Sequence, residues 1–108
     1  MAATKIRQFD VVRNPLSATH RDRPYLVCIQ DRHLDHLATR LMAPLASAQV
    51  IGEASRLNPE FQIQGRRLFL LPYDLIALPL RLLGSVTANL ELERYRIISA
   101  LDLVLTGA

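Results

Sequence analysis

The apolar residues of this chain change their spacing once, near Asn89, and that change limits the folds open to it. Upstream they fall in short runs bounded by Pro, Gly, Asn and Asp, the pattern of brief strands joined by turns. Residues 8–12 read as a first strand, ended by Arg13, Asn14 and Pro15. Residues 14–23 are polar, contain Pro and are rich in Arg and His, so an exposed loop is expected there. Residues 25–30 carry the β-branched and aromatic pattern of a second strand. A second loop over residues 31–39 precedes a third strand over 40–44. Residues 46–56 fit either a strand or a poor helix, and periodicity does not decide between them. Residues 60–64 alternate polar and apolar, and Gly65-Arg66 offers a hairpin turn into a strand over 67–71. Residues 74–83 continue as strand, with Pro79 placing it at an edge or a bend.

Downstream the spacing becomes helical. Asn89 is a good N-cap, Glu91 and Glu93 suit the positive end of a helix, and Gly107 suits its C-terminal cap. Between them Ile97, Ile98, Leu101, Val104 and Leu105 form one apolar stripe. Leu103 lies off it, as a scattered surface leucine or as a contact to a partner subunit. The expectation is one mainly β domain over residues 1–108: five or more antiparallel strands closed by a C-terminal helix.

At 108 residues one domain with a real core is the natural count. The net charge is +3, and bases and acids are spread evenly along the chain, so no basic tail is visible. That argues against a direct nucleic-acid partner, which clustered Lys and Arg would serve. The most apolar stretch, residues 68–84, is interrupted by Pro72, Asp74, Pro79 and Arg81, and is too short to span a bilayer. No hydrophobic signal core follows the start, so no membrane partner and a cytoplasmic location are expected. Cys28 is the single cysteine and sits in an apolar run, which reads as a buried structural thiol. Trp is absent.

Candidate chemistry is sparse. His33 and His36, with Asp31 and Asp35, have the spacing of two ligands on one turn, but a metal site needs three or four. A solvated loop explains them as well, and no metal or other cofactor is expected. Arg13, His20, Arg21 and Arg23 around the first loop suit a ribonuclease, with Arg holding phosphate and His moving protons. No nucleophile–base pairing is legible, however, and Asp22 and Asp74 are explained as turn caps. Four scattered glycines make no phosphate loop. Catalytic residues are therefore not assigned. Thr106, Gly107 and Ala108 leave a helix end that a partner can grip, although capping alone accounts for Gly107.

The segment Val27-Cys28-Ile29-Gln30, then Leu34-Asp35, then Thr39-Arg40-Leu41-Met42-Ala43-Pro44-Leu45-Ala46-Ser47-Ala48, resembles the central region of the CcdB toxins. So does the opening Gln8-Phe9-Asp10-Val11. Pro79-Leu80, Gly84 and Ala88-Asn89-Leu90 fall where that family has Val-Pro-Val, Ile-Gly and Ala-Asp-Leu. The resemblance covers roughly residues 7 to 108. It implies an SH3-like small barrel with an added sheet and a long C-terminal helix, in a homodimer. It also implies the toxin of a type II toxin–antitoxin module, as in plasmid maintenance. Such toxins catalyse nothing; they insert between the two A subunits of DNA gyrase and trap the enzyme on cleaved DNA. A CcdA-like antitoxin wraps the dimer through a disordered segment that folds on binding, and the complex represses its own operon. The family grips gyrase through a final Trp, Gly and Ile, positions held here by Thr106, Gly107 and Ala108. Two other readings remain open: a diverged homologue that keeps dimer and antitoxin without toxicity, and an endoribonuclease on the same fold, as in the MazF and Kid toxins.

Overall fold

In the computed structural model, which describes residues 5–108, seven strands precede one helix. They are β1 (Asp10–Arg13), β2 (Tyr25–Cys28), β3 (Thr39–Ser47), β4 (Glu60–Ile63), β5 (Arg66–Leu70), β6 (Ile76–Pro79) and β7 (Val86–Asn89), then α1 (Arg94–Thr106). All pairings are antiparallel, in the order β4-β5-β3-β2-β1-β7, with β6 also on β3. The sheet curls into a half-barrel, so that Gln64 at the β4–β5 turn donates to the Thr87 carbonyl of β7 at 3.1 Å. The mainly β fold with a closing helix is the one expected. Among the described residues no helix is long and apolar enough to cross a membrane.

β3 organises the sheet because it pairs with three strands. One edge runs along β2, from Tyr25 opposite Leu45 to Cys28 opposite Met42. The other edge is shared: Thr39–Met42 meets β6 and Leu45–Ser47 meets β5. Pro44 sits where the partner changes. A proline ordinarily ends a central strand because it has no N–H to give. Here its carbonyl accepts from Leu71 at 2.9 Å, and β3 runs on to Ser47 instead of stopping at residue 44.

Near-continuous apolar runs in β1 to β3 follow from burial on both faces. Val11, Tyr25, Val27, Ala43 and Leu45 point to one core with Phe61, Ile63, Leu68 and Leu70. Ile97, Ala100 and Leu101 of α1 close that core. Val12, Leu26, Cys28 and Met42 point the other way, into a second core with Ile6, Leu78 and Leu83. Each fully buried aliphatic side chain contributes about 1.5–3 kcal/mol on burial. Cys28 is the buried thiol expected, and burial pushes its pKa up.

Arg40 is 1% exposed, and among the described residues no carboxylate pairs with its side chain. Its guanidinium donates instead to four main-chain oxygens: Nε to Ile6 at 2.8 Å, Nη1 to Leu37 at 2.8 Å and Thr39 at 3.0 Å, and Nη2 to Asp35 at 3.1 Å. Bonds from four of its five N–H groups are what make such a buried charge tolerable.

Several boundaries differ from the expectation, each for a local reason. β1 starts at Asp10 because buried Phe9 has φ +70°, which breaks the extended run; its N–H reaches Cys28 and its carbonyl receives Leu90. The undecided 46–56 segment ends β3 and then becomes a loop that turns on the Ser47 carbonyl, bonded by Val50 and Ile51. The hairpin turn is Gln64-Gly65, both at positive φ, one residue earlier than read. The 74–83 strand shortens to β6, because after Pro79 the chain makes a 3-10 turn over Leu80–Leu82. β7 has no strand signature in the sequence; none of its side chains is fully buried and those at its two ends are exposed, which erases the alternation. Within α1 only Ile97, Ala100 and Leu101 are buried, so Ile98, Val104 and Leu105 of the expected stripe face outward.

Replacing Arg40 by Met, which keeps the stem and removes the donors, strands the carbonyls of Ile6, Asp35 and Leu37, leaves that of Thr39 to the Gln30 amide, and is expected to destabilise the fold by about 3 kcal/mol or more. Urea unfolding with an unchanged m-value checks it, and a loss under about 1 kcal/mol would contradict this account. Cys28 gives a pH test. Its folded pKa lies above the unfolded one, so its contribution is whole below about pH 8.5 and falls as pH rises toward the folded value. Stability between pH 8 and 10.5 should therefore decline more steeply in the wild type than in Cys28→Ala.

Candidate functional site at the end of the terminal helix

α1 takes its direction from its start. Asn89 Oδ1 accepts the Glu91 N–H at 2.8 Å, and Asn89 Nδ2 donates to Asp10 Oδ1 at 2.9 Å. The other Asp10 oxygen accepts the Arg7 N–H at 2.8 Å, and the Leu90 N–H donates to the Phe9 carbonyl at 2.9 Å. The N-cap position itself is held by Leu90, one residue later than expected, and Asn89 acts from before it, its side chain taking the first N–H of a 3-10 turn, Glu91–Glu93, that runs on into α1. Glu93 pairs with Arg96, whose guanidinium also lies 4.5 Å from the Phe61 ring centroid and donates to the Glu60 carbonyl at 2.6 Å. With Ile97, Ala100 and Leu101 in the core, both ends of the buried face are held and the axis of the helix is fixed.

At the far end Gly107 adopts φ +76° and donates its N–H to the Leu103 carbonyl at 3.1 Å, a left-handed cap that a β-carbon would strain. Thr106 turns its hydroxyl back to the Asp102 carbonyl at 2.9 Å and accepts the Ala108 N–H at 3.3 Å. Thr106, Gly107 and Ala108 are all exposed. The end is tied down: Arg56 donates Nε to Ser99 Oγ at 2.6 Å and Nη2 to the main-chain oxygen of Ala108. Arg56 also lines a cleft of about 380 Å³ with Ala54, Ser55, Pro59, Tyr95, Arg96 and Ser99. Arg56 falls in the segment whose periodicity fits strand and helix alike, and no local signal marks it, because its partner is 52 residues away. Leu103 is half-buried, whereas Leu92 is 95% and Tyr95 80% exposed.

The other sequence-read groups separate. Asp31 caps a 3-10 turn, Arg32–Leu34, by accepting the His33 N–H at 2.8 Å, and its Oδ1 also lies 2.6 Å from His33 Nδ1. Those two bonds, the main-chain one first, hold the Asp31 carboxyl below its ordinary value. His36 Nδ1 lies 3.1 Å from the His33 carbonyl. Among the described residues no three His, Cys, Asp or Glu side chains converge as metal ligands. Of the first-loop set, Arg13 and His20 line one cleft, Arg21 is exposed away from its lining, and Arg23 is paired with Asp74 at 2.7 Å.

The family described as "CcdB protein" matches residues 8–107, nearly the whole chain. No curated protein matches it. Among solved structures, the chain described as "Mycobacterium tuberculosis toxin MazF-mt6" is similar at a TM-score of 0.67 and 10% identity, covering 92% of this chain and 96% of that one. At that identity the likeness is one of fold.

The two ends of the helix should respond differently to truncation. Asn89→Ala loses the cap and the Asp10 bond and is expected to cost about 1–2 kcal/mol in urea unfolding. Arg56→Ala removes an exposed tie and should cost less than about 0.5 kcal/mol. It should nonetheless speed amide exchange at Gly107, which Asn89→Ala at matched stability should not do selectively.

Proposed function

The chain belongs to the CcdB family, toxins of toxin–antitoxin pairs, and from that premise we propose that it acts by binding DNA gyrase rather than by catalysis. In this reading a homodimer presents both copies of Thr106, Gly107 and Ala108 to the gyrase A subunit and holds the enzyme on cleaved DNA. A CcdA-like antitoxin reverses this, and the site of action is the cytoplasm. The observation that carries the reading is an exposed helix end on a core-anchored axis, with Gly107 in a left-handed conformation that favours glycine over any other residue. A rigid end loses little conformational freedom on binding, which favours affinity.

Thr106 and Ala108 set the strength of the contact. In the family a Trp stands at the first of these positions, and loss of such an anchor commonly costs about 2 kcal/mol or more, roughly thirtyfold in affinity per site. A weaker poison than its relatives is the consequence. The endoribonuclease reading has less support: Arg23 is occupied by Asp74, and no carboxylate lines the cleft of Arg13 and His20 to share proton transfer.

Supercoiling and cleavage-complex assays with purified gyrase test the proposal. Inhibition at micromolar protein is expected, and the double variant T106W/A108I should inhibit about thirtyfold more strongly. If neither protein inhibits or stabilises cleaved DNA, gyrase is not the target. Growth arrest relieved by the co-expressed antitoxin would then still mark a toxin with another target.

A further inference from the structure

A second cleft, of about 290 Å³, opens where the β4–β5 hairpin meets the β1–β2 corner; Arg13, Asn14, His20, Pro24, Tyr25 and Arg66 line it. Arg13 ends β1, directly opposite Tyr25, and Arg66 begins β5 just after the Gln64-Gly65 turn. Among the described residues the arginines engaged in ion pairs are Arg23, Arg67, Arg94 and Arg96, and Arg40 and Arg56 are held by other hydrogen bonds. The side chains of Arg13, His20 and Arg66 take part in none of these. Their immediate neighbours differ: Arg23 is tied to Asp74 at 2.7 Å, and Arg67 to Glu60 at 2.9 Å. Arg23 and Arg67 beside the cleft are thus neutralised, whereas Arg13 and Arg66 in its lining, like exposed Arg21 outside it, form no ion pair among the described residues.

The loop that carries His20 is built rather than loose. Buried Asn14 donates Nδ2 to Thr19 Oγ1 at 3.0 Å and to the Arg23 carbonyl at 2.8 Å, and accepts the Leu16 N–H at 2.9 Å. The His20 N–H in turn donates to the Leu16 carbonyl at 3.0 Å. Two like charges brought together without a counter-charge repel, and an anion between them relieves that cost.

We propose that this cleft binds the phosphate group of a nucleotide, with the guanidinium groups of Arg13 and Arg66 on its oxygens and the His20 imidazole as a further donor. Three donor side chains converging from three stretches of chain suit the several oxygens of a phosphate better than the two of a carboxylate. Pro24 supplies an apolar edge beside which a ribose can lie, whereas Tyr25 borders the cleft from the core and is nearly buried. The site binds and does not cut, since cleavage by general acid and base needs a second proton-transfer group and the lining holds one imidazole and no carboxylate. It shares no residue with Thr106, Gly107 and Ala108, so it stands or falls apart from the gyrase reading. The same phosphate chemistry can be offered by a free nucleotide or by a single strand.

The test titrates the full chain at low salt with AMP, followed by 31P NMR, and with a fluorescein-labelled single-stranded pentanucleotide, followed by anisotropy. Saturable binding of AMP is expected, weakened about tenfold or more in Arg13→Gln and in Arg66→Gln and less in His20→Gln. Arg81→Gln, an exposed arginine outside the cleft, should change nothing. Tighter binding of the pentanucleotide than of AMP, lost in the same variants, identifies a strand as the source; equal binding identifies the free nucleotide. Absence of AMP binding at millimolar concentration, indifference to both arginine variants, or equal affinity for a glutamate-rich peptide would overturn the proposal. So would cutting of the pentanucleotide that His20→Gln abolishes, which would make the cleft an active site.

Discussion

A guanidinium surrounded by carbonyl oxygens holds three separate stretches of this chain together. Arg40 lies on β3, but its donors reach Ile6 before the first strand and Asp35 and Leu37 in the loop that precedes β3. Without it the segment that leads into Phe9 keeps only the weaker tie of Gln8 Nε2 to the Ile29 carbonyl at 3.2 Å, and Phe9 is where the chain crosses to the helix start. The second core depends on the same contact. Ile6 is a member of it and is held over Cys28 and Met42 by the bond its carbonyl accepts. An ion pair at this place would have introduced a second buried charge to be desolvated. Carbonyls satisfy the donors with groups the backbone already carries.

From that anchor a chain of contacts runs to the exposed end of α1. Phe9 accepts from Leu90, Asp10 accepts from Asn89, and Asn89 caps the turn that becomes the helix. The buried face of Ile97, Ala100 and Leu101 continues the line, and Arg56 finishes it at Ala108. The placement of Thr106, Gly107 and Ala108 is thus decided at the opposite terminus of the chain.

Much of this was legible in the residues. Tyr25–Cys28 reads as a strand because both of its faces are apolar, and Asn89 and Gly107 read as the limits of a helical segment because each does a job that few residues do. What stayed hidden depends on long-range pairing. Nothing local tells that Phe9 takes a positive φ, that Pro44 continues a strand, or that Arg40 is buried while Arg13 is not. The helical stripe misled because Leu105 repeats the core spacing yet lies 74% exposed beyond the edge of the sheet. An even spread of charge along the sequence likewise concealed that Arg13, His20 and Arg66 share one cleft. A small cluster assembled by folding leaves no run of basic residues to read.

The position of β1 has a consequence for how the molecule is made. β1 leaves the ribosome before the other strands, yet its outer edge pairs with β7, and the Asp10–Asn89 bond joins residues 79 apart. Closing so long a loop is slow compared with local pairing. During synthesis β1 can take up β2 early, whereas its second neighbour arrives only after β2 to β6 have emerged. The helix start, hung on Asp10 and Phe9, waits for the same moment. A chain made only as far as β6 therefore carries neither a finished sheet nor an oriented helix, and the place where Thr106, Gly107 and Ala108 come to lie is settled only once β7 has joined β1.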